Sequence, residues 1–237
     1  MKITAWLAGT LATLDPAPQP PQPDLTPIVL VHGLDGTGAD MARLARHFRA
    51  QGRTVFCPSL VPSNGSASLE TLAAQFSAYV DEHLGPDQPF HLIGYSMGGM
   101  VGRHYLQDLD GQPRVPVFIT LSSPHHGTWI AHLRKGDGLR QMRRRSDDSQ
   151  RLNAQIEIPA STRWISFCVP TDLIIVPSHS SHLPRAQQHT LWGLGHFTCI
   201  MERHAIRRVA QALVEAEKSL NPGSEIAPSS SARFAAP

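Results

Sequence analysis

The chemistry of this chain gathers around a serine at position 96. Residues Gly94-Tyr95-Ser96-Met97-Gly98-Gly99 carry the G-x-S-x-G pattern. In that pattern the serine sits on a sharp turn from strand to helix and presents its hydroxyl clear of both. The apolar run at 89–93 can supply the strand, and a helix-compatible stretch begins at Met97. Gly94 and Gly98 leave room where strand, turn and helix crowd together. The helix aims amide N–H groups and its positive dipole end at Ser96. This arrangement supports nucleophilic attack. A serine hydroxyl is a poor nucleophile at neutral pH, so it needs a histidine to take its proton and a carboxylate to orient that histidine.

Both partners are expected later in the chain, acid before base, on loops that follow strands. Asp172 meets this condition for the acid, following the strand candidate 164–169 through Pro170-Thr171. An Asx-turn beside Pro170 is its purely structural alternative. Asp137, Asp147 and Asp148 also follow Ser96, but they lie in a charged, strandless segment and read as solvated. Thirteen histidines compete for the base. His196 fits best: it closes Gly193-Leu194-Gly195-His196, after the strand candidate 190–192 and before the last helix. His179 and His182 sit in a Ser-rich loop and could line a site. Neither His179-x-x-His182 nor His125-His126 has a carboxylate-bearing metal motif beside it, so neither a metal nor a cofactor is expected.

A tetrahedral intermediate needs two N–H donors directed at its oxyanion. The amide of Met97, next after the serine, is one candidate. The other is the amide of Leu34, in the loop His32-Gly33-Leu34 after the strand candidate 28–31. Gly33 permits the tight turn. His32 precedes Ser96, which breaks the required order, and reads as a brace holding the loop through ring hydrogen bonds.

The elements that must position these groups follow from periodicity. Ile28-Val29-Leu30-Val31 is a continuous apolar run, as expected of a strand buried on both faces. Further strand candidates are 54–56, 90–93, 115–121, 164–169 and 190–192. Helical spacing joins Leu69, Leu72, Ala73, Phe76, Val80 and Leu84, with Ser66 and Ser68 available as caps. Segments 41–48 and 97–106 also read as helices, and Ile206, Val209, Ala210, Leu213 and Val214 give the last helix its apolar face. Strands alternating with helices imply right-handed βαβ units. The expected fold class is α/β: three layers, with a mostly parallel sheet of about six strands flanked by helices.

Residues 1–25 read as an N-terminal segment and Pro-rich arm, 26–220 as the folded domain with a cap within 128–159, and 221–237 as a disordered tail. A length of 237 residues suits one domain. With 41% hydrophobic and 17% charged residues, the composition is that of a soluble globular protein. A formal net charge of +2 argues against a nucleic-acid partner. Charge concentrates instead in 132–151, with seven Lys/Arg against three Asp. The basic segment 134–145 could touch an anionic membrane or an acidic carrier, or form an ordinary solvated face. Cys57, Cys168 and Cys199 are too few and too scattered for a disulfide framework and read as buried or partly buried thiols. No apolar run approaches the ~18–20 residues that span a bilayer. Residues 3–14 faintly resemble a signal peptide without a clear Ala-x-Ala cleavage site. A cytoplasmic location is expected, with export as the alternative. Oligomeric state has no readable signature.

Together these blocks resemble the bacterial lipase/esterase branch of the α/β-hydrolase superfamily. The resemblance rests on Val31-His32-Gly33-Leu34, Gly94 to Gly99, Ser122-Ser123-Pro124-His125-His126-Gly127-Thr128, Asp172-Leu173-Ile174-Ile175-Val176-Pro177 and Gly195-His196. It implies hydrolysis of a small-molecule carboxylic ester through an acyl-enzyme, with Ser96, Asp172 and His196 acting as a triad. The cap is compact and Arg-rich, with scattered apolar residues (Ile130, Leu133, Leu139, Met142, Leu152, Ile156), which favours small to medium acyl chains over triglycerides. Thioester or amide cleavage by the same groups is the alternative, and a non-enzymatic binding domain on the same fold is a remote one.

Overall fold

The computed structural model describes residues 20–221. The readings of 1–19 and 222–237 lie outside them. Six strands, β1 (Ile28–Val31), β2 (Val55–Phe56), β3 (His91–Tyr95), β4 (Val117–Leu121), β5 (Arg163–Cys168) and β6 (Gln187–Thr190), form one sheet in the order β2-β1-β3-β4-β5-β6. Every pairing is parallel. A parallel sheet needs crossovers that cover both faces, so its central strands are apolar on both sides. In β1 alternate residues part accordingly. Ile28 and Leu30 join one core, and Val29 and Val31 the other.

The first core packs against α1 (Ala42–Arg49) and α6 (Arg203–Leu220), through Leu44, Phe48, Val209 and Leu213. The second packs against α2 (Leu69–Leu84) and α3 (Met97–Asp108), where Phe76, Phe90 and Tyr105 meet edge to face or tilted. Ser68 caps α2 by accepting the Thr71 N–H, and Gly85 ends that helix at φ 77°, a backbone state that favours glycine. At the amino ends of the strands, Glu217 of α6 binds Arg53 (2.7 Å) and His91 (2.8 Å), tying helix to sheet. Burial pushes the Glu217 carboxyl up, but these partners outweigh it and bring it down to about 2.

Two short helices, α4 (Asp137–Gln141) and α5 (Asp147–Ala154), lie in the expected cap. The last strand differs from its expected place. The apolar pair Leu191-Trp192 suggests a strand at 190–192, whereas β6 runs over Gln187–Thr190 and is largely exposed. As the sheet's edge it buries little, so its ladder forms in polar residues, and Leu191 only extends it with one bond to the Cys168 carbonyl (2.9 Å). The three thiols are free. Among the described residues no helix is long and apolar enough to cross a membrane.

Candidate active site

Strand β3 leads directly into Ser96, and α3 starts at the next residue. The turn is as tight as its glycines suggest. A Cβ on Gly94 would lie 2.6 Å from the Gly98 carbonyl oxygen, and one on Gly98 would run into the Val31 and His32 carbonyls. Ser96 itself holds φ 52° and ψ −120°, a strained state for an L residue. Its N–H is fixed to the Leu121 carbonyl at the end of β4 (2.8 Å).

Three side chains that lie far apart in sequence then join end to end. Ser96 Oγ–H donates to His196 Nε2 at 3.0 Å, and His196 Nδ1–H donates to Asp172 Oδ2 at 2.7 Å. All three residues are buried. Asp172 also accepts the Ile174 and Ile175 amides on Oδ1, at 2.8 and 2.9 Å. The turn-forming and histidine-binding readings of Asp172 therefore coexist, one on each oxygen. Burial would raise its carboxyl, but the bond and charge of His196, with the two amides, hold it below the usual carboxylate range. The loop bearing His196 is itself held. Tyr95 O–H and Cys199 Sγ–H donate to the His196 carbonyl (3.2 and 3.0 Å), and Thr171 Oγ1–H donates to the Leu194 carbonyl. Burial pushes the Cys199 thiol up to about 12, so it stays a donor. The first variable position of G-x-S-x-G, Tyr95, thus supports the histidine loop, a role its motif does not announce.

On the opposite wall, His32 Nδ1–H donates to the Gly33 carbonyl (2.8 Å), while Nε2 accepts the Leu60 N–H (2.9 Å). That pattern requires a neutral ring, and burial holds its pKa below the ordinary value. Leu34 and Met97 are at the site: Leu34 lines the pocket, and Met97 opens α3, where the first amides have no partner within the helix.

Ser96 and His196 open into a cavity of about 220 Å³ walled by Leu34, Ile130, Leu139, Met142 and Ile175. Arg134 and Asp35 form an ion pair at its edge. His179 and His182 are exposed and do not line it. Four of the cap's scattered apolar residues, Leu139, Met142, Leu152 and Ile156, are buried, while Leu133 is 76% exposed.

The Arg-rich segment is partly engaged within the molecule. Arg140 pairs with Asp137 (3.0 Å), and Arg151 binds Asp108 (2.7 Å) and Asp148 (3.2 Å). Asp148, expected to be solvated, is only 10% exposed and accepts from His104 Nε2 at 3.1 Å. Its partner lies on α3, 44 residues back in the chain, where no local pattern reveals it. Glu70, His104 and Asp148 are the one group among the described residues whose atoms gather closely enough to hold a metal ion. Ion pairs within the protein already occupy two of its three members.

A family model for the alpha/beta hydrolase fold matches residues 26–156. No curated protein matches the chain. Among solved structures, the mature lipase BlEst2 of Bacillus licheniformis is similar at 20% identity and a TM-score of 0.65, covering 84% of this chain and 96% of its own. A structure from LipS and LipT, two metagenome-derived lipolytic enzymes, aligns at 14% identity and a TM-score of 0.63, over 86% and 98% of the two chains. The thioesterase domain of the curacin biosynthetic pathway aligns at 16% identity and a TM-score of 0.58, over 82% and 93%. At these identities the likeness is one of fold.

Proposed function

This chain belongs to the α/β-hydrolase fold family, and from that premise we propose that it is a serine hydrolase of carboxylic esters. One observation carries the reading: the unbroken chain from Ser96 through His196 to Asp172, at the floor of an apolar cavity. Ser96 Oγ attacks the acyl carbonyl as its proton passes to His196 Nε2. Asp172, already a carboxylate, stabilises the resulting imidazolium. The N–H groups of Leu34 and Met97 receive the developing oxyanion. When the intermediate collapses, Nε2–H gives its proton to the departing alkoxide and leaves an acyl-Ser96. Water then attacks that ester with His196 as base, which restores the serine.

The cavity of about 220 Å³ lies below the ~300–1,000 Å³ usual for drug-sized ligands, which supports small to medium acyl groups. A fluorophosphonate probe is expected to label Ser96 covalently. Failure to label the folded protein would overturn the mechanism. Thioester cleavage is a second reading, favoured by the thioesterase domain among the similar folds. Matched ester, thioester and amide substrates decide between them. A thioester preference above about a hundredfold in kcat/KM, roughly 2.7 kcal/mol, would replace the ester assignment.

A further inference from the structure

Behind one wall of the Ser96 pocket lies an open groove of about 350 Å³, lined by Trp129, Arg144, Arg145, Val176 and Pro177. The two spaces share that wall. Ile130 faces the pocket and its neighbour Trp129 the groove; Ile174 and Ile175 face the pocket, and Val176 and Pro177 the groove. Thr128 zips the two segments together. Its Oγ1–H donates to the Ile174 carbonyl (2.6 Å), its Oγ1 accepts the Val176 N–H (3.0 Å), and the Trp129 N–H donates to the Val176 carbonyl (3.0 Å). The pocket and the groove are therefore lined by neighbouring residues of the same two segments.

The groove's chemistry is one-sided. Trp129 is 58% exposed, an unusual state for an indole on a braced turn. Arg144 spends one N–H on the His126 carbonyl (2.9 Å), and among the described residues the Arg145 guanidinium has no hydrogen-bond or ion-pair partner. No carboxylate lines the groove. Of the nearby acids, Asp148 is held by His104 and Arg151, and Asp147 starts α5. Behind the groove, burial and then the guanidiniums of Arg144 and Arg103 depress the His126 pKa. Arg145 also holds φ 58°, a left-handed backbone state that an L residue occupies at a cost.

We propose that this groove binds a phosphate carried on the leaving half of the substrate. Two guanidiniums lining one groove match a phosphate dianion better than a single carboxylate, and the exposed indole is there to cover the linker. The inference rests on Ser96 being the acyl-transfer nucleophile. The phosphate can belong to a glycerolipid head or to a thiol carrier, and two substrate pairs distinguish these. One is glycerol phosphate monobutyrate against glycerol monobutyrate; the other is S-butyryl phosphopantetheine against S-butyryl pantetheine.

At low ionic strength the phosphorylated member of the matching pair is expected to win by about tenfold or more in kcat/KM, mainly through KM. Arg144→Gln/Arg145→Gln should bring that ratio to within about twofold. Arg145→Gly should lower it too, and this variant relieves the strained backbone and keeps the Arg144–His126 bond, so folding is not at stake. Equal specificity within both pairs, or a ratio that neither variant changes, would overturn the site. Binding of glycerol phosphate alone, followed by tryptophan fluorescence, separates the two levels. Arg145-dependent binding without turnover sinks the ester-hydrolase reading and keeps the groove. Turnover without such binding sinks the groove.

Discussion

His196 and His104 are both buried, and each is gripped at both ring nitrogens at nearly the same distances. His196 has Asp172 at 2.7 Å and Ser96 at 3.0 Å; His104 has Asp108 at 2.7 Å and Asp148 at 3.1 Å. The difference is one partner. A hydroxyl can donate to Nε2, so one ring proton satisfies both contacts of His196, and under the proposed mechanism Nε2 takes a second when the serine reacts. A second carboxylate cannot donate, so the ring between Asp108 and Asp148 must carry both protons. Burial would lower the His104 pKa, but the bond and charge of Asp148, with Asp108 and Glu70, outweigh it and raise it. Under the proposed mechanism one imidazole exchanges its proton, and the other keeps it. His104 joins α3, which begins beside Ser96, to α5 of the cap, so the kept proton fastens the scaffold around the exchanged one.

The comparison predicts its largest effects at the first histidine. Ser96→Ala should cost on the order of 10⁵–10⁶ in kcat, because nucleophile and base act as a unit. Asp172→Asn should cost about 10⁴, since an amide can stabilise the wrong tautomer. Steady-state rates on a short-chain ester measure both, with folding checked by circular dichroism. If His104→Ala lowered kcat as steeply as Asp172→Asn, the division of labour would be broken.

At the second histidine the expected loss is in stability. Removing one member of a buried ion network leaves the others unpaired, so His104→Ala should destabilise by about 3 kcal/mol, read by urea denaturation. The effect also has a pH signature. With its folded pKa raised, His104 contributes in full below the ordinary imidazole value near 6.5, and the contribution fades as pH rises through the folded value. Asp108 and Asp148 are depressed and work oppositely, contributing above about 4 and fading in acid. The clamp is therefore strongest between about pH 4 and 6.5. From there into alkali the Tm of the parent should fall more steeply than that of His104→Gln. Parallel slopes would show that His104 carries no extra proton.

How these two histidines read in the sequence differs for a physical reason. Ser96 and Asp172 are legible because each follows a strand with its own apolar run, β3 and β5, and His196 because its Gly-bounded loop lies between the apolar pair Leu191-Trp192 and the last helix. Strand β6 was displaced because an edge strand made of Gln187, Gln188, His189 and Thr190 carries no apolar signal. The His104 clamp left no trace. His104 and Asp148 sit on separate helices whose hydrophobic faces look ordinary, and the contact exists only once the cap has packed. Charge that seemed solvated in the Arg-rich stretch is partly the counter-charge of that clamp. Tertiary ion pairing has no periodicity, so it appears only in the folded chain.

Asp148→Asn is the smallest change that tests whether the second partner decides an imidazole's role. The amide keeps the size of the carboxylate and can still accept from, or turn to donate to, His104 Nε2. It removes the demand for a second proton and leaves Asp108 as the only carboxylate bonded to the ring, much as Asp172 is for His196. Arg151 retains Asp108 as its partner, so the helix contact survives. The expected loss at neutral pH is about 1 kcal/mol, the scale of one charge-assisted bond exchanged for a neutral one. The more telling readout is the slope. If a second carboxylate is what fixes the proton, the alkaline decline in Tm should flatten in Asp148→Asn to that of His104→Gln. If the slope persists, Asp108 and Glu70 suffice to hold the imidazolium, and one carboxylate partner would not by itself leave a buried histidine free to exchange its proton.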